Sequence, residues 1–177
     1  MKKLIFAFLF TLIIFTFSIN NNANALEINY LESNDLDMVL ISTDRQIFED
    51  GSYVVTTLYE YNDTQISTLS STITKNGETK VNFYNTNNVL EWTYTFYATF
   101  DIVEGESAVC TNANYKYSIS KSNWKFSDGN AYYEDNVAYG KGTFKYKMLG
   151  FITSDTRNIY ISITCDNYGN LTNQNLS

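Results

Sequence analysis

From Trp92 to Ile102 the chain alternates without a break. Trp92, Tyr94, Phe96, Ala98, Phe100 and Ile102 interleave with Thr93, Thr95, Tyr97, Thr99 and Asp101. A period of two is that of a β-strand, whose successive side chains leave on opposite faces, so this segment reads as a strand with one buried face and one wetter face. Asn158 to Cys165 repeats the pattern, with Ile159, Ile161, Ile163 and Cys165 on one side and Tyr160, Ser162 and Thr164 on the other. The expected core is therefore built on Trp92, Tyr94, Phe96, Phe100, Ile161 and Ile163.

Further strands read at 53–61, 66–74, 79–84, 107–120, 131–139 and 142–148. Asp50-Gly51, Asn76-Gly77, Asp128-Gly129 and Gly140-Lys141-Gly142 supply residues that tolerate a positive φ, and they read as the turns between these strands. About nine short strands at roughly ten-residue spacing, with no long helical pattern between them, favour an all-β fold. The expectation is an antiparallel β-sandwich, immunoglobulin-like in general architecture.

The N-terminal end has a different character. Lys2 and Lys3 precede an apolar run from Leu4 to Phe17, followed by a polar stretch closing on Ala23-Asn24-Ala25. Charged, apolar and small-residue regions in that order define a helical secretory signal peptide over residues 1–25, and the apolar run is shorter than the roughly 20 residues a membrane span needs. Residues 26–44 read as a leader or short helix, with Leu36, Val39 and Leu40 at helical spacing and Asn34 placed to cap it. Residues 45–177 form the expected β-domain. The reading implies Gram-positive type export to the extracellular space, with no stable membrane insertion after cleavage.

Two of the 12 Lys and Arg lie in the signal, so the remainder carries 10 basic against 19 acidic side chains, a net charge of −9. Nucleic acids and anionic membrane surfaces need clustered cations to displace counterions, so neither is an expected partner. Cys110 and Cys165 are the only two cysteines. In an oxidising space they are a candidate disulfide. Cys165 falls on the core side of its strand. Cys110 shares that side only if a bulge near Asn112 or Asn114 resets the phase of its strand, because Tyr115, Tyr117 and Ile119 are inward by alternation.

The chain has no histidine. That removes Ser-His-Asp and Cys-His nucleophile systems and the commonest zinc ligand. Glu49/Asp50, Glu104/Glu106 and Glu134/Asp135 are the carboxylate pairs a glycosidase would draw on, and each sits at an expected turn or strand end. The oxygen-rich segments 128–130, 135–136 and 166–170 lack the ligand spacing of a calcium loop and read as Asx turns. No metal and no cofactor is expected, and no catalytic residue is assigned. The 15 tyrosines all follow the signal. Trp124, Tyr132, Tyr133 and Tyr139 form the densest aromatic region and are the candidate binding aromatics, since exposed rings stack on sugars and anchor interfaces.

The segments 90–100, Ala108-Val109-Cys110-Thr111, Ser122-Asn123-Trp124, 140–145 and 161–166 together resemble an uncharacterised domain family of small secreted proteins of Gram-positive bacteria. Tyr97-Ala98-Thr99-Phe100 and Ile163-Thr164-Cys165 correspond to that family's "T-A-T-F" and "L-T-C" strands, each with one replacement. The resemblance covers about half of the chain after the signal. It implies secretion and the pairing of the cysteines, and it implies no activity. The expected function is a secreted, non-catalytic binding or surface-interaction module for an extracellular ligand or surface component. An exported antagonist or toxin-like protein is the alternative, and a carboxylate-dependent glycosidase comes third.

Overall fold

A computed structural model of the chain describes residues 38–61, 72–149 and 152–175, all within the unit Asn34–Ser177. The signal peptide expected over residues 1–25 and most of the expected leader lie outside the described residues. Nine strands form: β1 (Met38–Ile47), β2 (Tyr53–Tyr61), β3 (Thr72–Tyr84), β4 (Leu90–Val103), β5 (Ser107–Ile119), β6 (Trp124–Glu134), β7 (Val137–Met148), β8 (Ile152–Cys165) and β9 (Leu171–Asn175). They make two antiparallel sheets, β1-β2-β3-β4-β5 and β6-β7-β8-β9, and no helix occurs among the described residues. Within each sheet every strand pairs with its successor in sequence, so each sheet is a meander, and the chain passes from one sheet to the other between β5 and β6. The Greek-key crossover that an immunoglobulin-type domain uses is absent from the described strands.

The alternation in β4 does what its pattern requires. Trp92, Tyr94, Phe96, Ala98, Phe100 and Ile102 are each no more than 2% exposed. Opposite them, Ile159, Ile161, Ile163 and Cys165 of β8 are buried, and side chains of both sheets join one hydrophobic cluster. Trp92 lies between Phe83 of its own sheet and Phe144 of the other, stacked on each with centroids 4.9 and 4.1 Å apart. On the outer face of the first sheet, Thr93 donates to Asn82, Thr99 to Asn76 and Thr74 to Asp101, at 2.8, 2.8 and 2.9 Å. Cross-strand side-chain pairs of this kind explain why the wetter face of β4 is rich in threonine.

Several expectations are corrected. Val39 and Leu40 lie in β1, which pairs with β2 from Met38–Tyr61 to Ile47–Tyr53. The β-ladder and the β-branched Val39, Ile41 and Thr43 override the helical spacing in residues 38–44. Asn76-Gly77 is not a turn, because β3 runs through it. Gly140 and Gly142 are interior to β7 as well. A Cβ at Gly140 would come within 2.6 Å of Phe96 Cδ2, and one at Gly142 within 2.9 Å of Tyr94 Cε2. These glycines make room for rings crossing from the other sheet, a use of glycine that resembles turn chemistry in the sequence. The β6–β7 hairpin instead turns at Asp135-Asn136, where Asp135 takes a φ of 51°.

The bulge on which the position of Cys110 depends is present. Thr99 pairs with Asn112 while Phe100 pairs with Cys110, which leaves Thr111 as the extra residue of β5. That shift carries Cys110 into the core, where it is 1% exposed. Even so, Cys110 and Cys165 are both free, buried thiols and are not bridged. Each is held at its own carbonyl: Cys110 N–H donates to Asp135 O at 2.7 Å and Cys165 N–H to Asn136 O at 3.1 Å. The two strands that carry the thiols thus grip adjacent residues of one turn, and the main-chain bonds hold them there without a covalent link.

The edges of the two sheets approach each other at β1 and β9. Ser42 Oγ donates to Asn173 Oδ1 at 2.9 Å, and Asn175 Nδ2 donates to Gln46 Oε1 at 3.1 Å. Side chains make this contact where a closed barrel would use a main-chain ladder.

Candidate functional site

The outer face of the second sheet follows from the same period of two. In β7, Ala138, Gly140, Gly142 and Phe144 face the core, so Tyr139 and Lys141 face outward. Tyr132 of β6 pairs directly with Tyr139, and Tyr139 with Ser162 of β8. Lys141 pairs with Tyr160, which the alternation of β8 also turns outward. The result is a row of three tyrosines and one lysine from three neighbouring strands.

Tyr132 and Tyr139 stack with centroids 5.0 Å apart and an interplanar angle of 18°. Tyr132 is 49% exposed and Tyr160 44% exposed. Beside them lies a shallow depression of about 40 Å³, lined by Tyr132, Tyr139, Gly140, Lys141, Tyr160 and Ile161. The platform is rigid from behind. Tyr94, fully buried, donates its hydroxyl to Lys141 O at 3.0 Å, and burial, with Tyr115 adding to it, holds this phenol well above its ordinary range. Chemically the surface offers aromatic faces, phenol hydroxyls and one ammonium group. Such a set can stack on a sugar ring and donate to its hydroxyls.

Of the four aromatics singled out in the sequence, Tyr132 and Tyr139 share this surface and Trp124 and Tyr133 do not. Trp124 is 4% exposed, packs edge-on against Trp92 and Phe83, and donates its indole N–H to the Glu91 carboxylate. It is a core residue. Tyr133 pairs with Ala138, whose side chain is buried, so it lies on the face opposite Tyr132. Tyr132 and Tyr139 remain together. Tyr160 and Lys141, missed in the sequence, complete the row. Alternation alone turned Tyr160 outward, but its neighbours could not be placed while Gly140-Lys141-Gly142 read as a turn.

The acidic pairs fall at separate turns. Asp50, after β1, accepts from the Ser52 hydroxyl and main chain and pairs with Arg157 at 2.8 Å. The Ser52 hydroxyl first, and Arg157 after it, hold this carboxyl below its usual value. Glu104 and Glu106 flank Gly105 in the β4–β5 turn, and Glu134 and Asp135 sit at the β6–β7 turn. Asp166 accepts from the main-chain N–H groups of Tyr168 and Asn170 and from the Asn170 side chain, which makes the 166–170 segment an Asx turn. Among the described residues no three His, Cys, Asp or Glu side chains are grouped to hold a metal. No family model matches the chain, and neither a curated protein nor a solved structure matches it.

Proposed function

We propose that the two sheets form an antiparallel β-sandwich that is exported from a Gram-positive type cell and acts as a non-catalytic binding module for a surface glycan. The order of charged, apolar and small residues over 1–25 supports export, as does the resemblance to small secreted Gram-positive proteins. The observation that carries the binding reading is the Tyr132–Tyr139 stack, exposed at Tyr132 and half-buried at Tyr139, extended by Tyr160 and Lys141. Large aromatic rings in water lose contact area that a partner restores, and their flat faces fit the apolar face of a pyranose. A strand-borne row positions them with little conformational entropy left to lose on binding.

The test is a glycan array together with intact-cell binding, using the full chain. Retention on at least one glycan class is expected. A clean negative on both the array and a panel of cell surfaces contradicts the reading.

A further inference from the structure

The outer face of the second sheet is basic in a chain that is otherwise acidic. Gly140, Gly142 and Phe144 of β7 and Trp124 of β6 are buried, so alternation turns Lys141, Lys145 and Lys147 of β7 and Lys125 of β6 outward. Asp128 and Glu134, paired with Thr143 and Val137, are the acidic residues of this face. It holds four cations against two carboxylates, which leaves 6 against 17 for the rest of the chain after the signal, out of totals of 10 and 19.

These lysines are not consumed by the fold. The ion pairs among the described residues engage Lys75, Lys80 and Arg157. Lys147 donates to the Thr153 hydroxyl at 2.6 Å, and Lys125, Lys141 and Lys145 enter no ion pair among the described residues. Lys125 lies directly across from Lys145, and like charges so placed destabilise a sheet. β7 runs between β6 and β8, so its lysines do not guard an exposed edge. An anion laid on this face relieves the repulsion.

Lys141 stands beside the rings. It pairs with Tyr160 and follows Tyr139 on the same face by roughly 7 Å of strand. A sugar stacked on this row brings a charge fixed to its own ring next to the Lys141 ammonium, whereas a phosphodiester carries its charge between the rings. Lys145, with Lys125 across from it, follows roughly 13 Å beyond Lys141, where a further acidic ring of the same ligand meets it. The net charge of −9 weighs little on a ligand of a few rings, because a charge in physiological salt is felt over about 8 Å.

We propose that the tyrosine and lysine row takes an acidic oligosaccharide whose pyranose rings carry carboxylates, with Lys141 pairing the carboxylate of the ring stacked on Tyr139 and Tyr160. The proposal rests on the glycan-binding reading of the same surface and adds the class of glycan.

Calorimetric titration of the full chain with tetragalacturonate and tetramannuronate, each beside its methyl ester, tests it, since the esters keep the rings and lose the charges. The acids are expected to bind at least about tenfold more tightly than the esters, with the advantage shrinking as salt rises. Lys141→Ala is expected to weaken the acids about tenfold and the esters little, and Lys141→Arg to restore the acids. Equal affinity for acid and ester, or an undiminished preference in Lys141→Ala, overturns the proposal and leaves a platform for neutral sugars standing. Failure of the acids to bind overturns the proposal alone if the glycan array retains neutral sugars, and overturns the platform with it if the array is empty. Tighter binding of a DNA duplex than of either acid makes this a nucleic-acid surface and likewise overturns the proposal.

Discussion

The hydroxyl of Tyr94 donates to the main-chain carbonyl of Lys141 at 3.0 Å, so the strand that presents Tyr139 and Lys141 to solvent is fastened from the core side. Gly140 and Gly142 allow that bond, because the Tyr94 and Phe96 rings occupy the places their side chains would take. Core and platform are two faces of one arrangement. Removing the hydroxyl with Tyr94→Phe is expected to cost about 1–2 kcal/mol in urea unfolding, since it strips one partner from a buried bond without opening a cavity. No change in the unfolding midpoint would show that the bond does not hold β7.

Gly140→Ala places a methyl group 2.6 Å from Phe96 Cδ2, and Phe96 is fully buried with nowhere to turn. A loss of about 1–3 kcal/mol follows from overpacking. The adjacent Lys141→Ala, on the exposed side of the same strand, is expected to stay within about 0.5 kcal/mol of the parent. Equal effects at the two positions would contradict the assignment of faces.

Much of this architecture was legible in the sequence, and its failures share a cause. β4 and β8 bury one face and wet the other, so period two identifies both and their core residues directly. Gly140 and Gly142 misled because glycine serves close packing as well as turns, and only the Tyr94 and Phe96 rings reveal which. Cys110 needed the one-residue bulge at Thr111, which a local pattern can require but not locate. Trp124 sits in a polar stretch, yet Glu91, 33 residues earlier, satisfies its indole and permits burial. The row of Tyr132, Tyr139 and Tyr160 depends on register across three strands, which no single strand encodes.

The thiols have a direct chemical signature. Cys110 and Cys165 are buried and unbridged, so the native full chain is expected to resist alkylation. After unfolding without reductant, both are expected to react. An unfolded, unreduced chain with no reactive thiol would contradict this state.

Stability is expected to fall at both ends of the pH range. Burial first, with the Asp166 charge next, pushes the Cys165 thiol up to about 11 from an ordinary value of 9.0. Burial likewise raises Cys110 and Tyr94. A group whose folded pKa is raised contributes stability that is present below its unfolded pKa and is lost as pH rises through the folded one, so the decline begins above about pH 9. Asp50 and Asp166 are shifted downward, chiefly by hydrogen bonds from Ser52 and Asn170 respectively. Their contribution is present above the ordinary carboxylate range and is lost as pH falls through the lowered values. Urea midpoints measured across pH should form a plateau between these limits. A midpoint that rises toward pH 11 would contradict the burial of the thiols and of Tyr94.

The most direct measurement of the binding account compares the full chain with its Tyr132→Ala/Tyr139→Ala variant on the same glycan array, with melting temperatures recorded for both. Tyr132 is 49% exposed and Tyr139 is half-buried, so the substitutions are expected to leave the fold in place. Retention is expected to fall at least about tenfold, as when an aromatic anchor is truncated. Undiminished retention by the folded variant would contradict the claim that this tyrosine row is the binding surface.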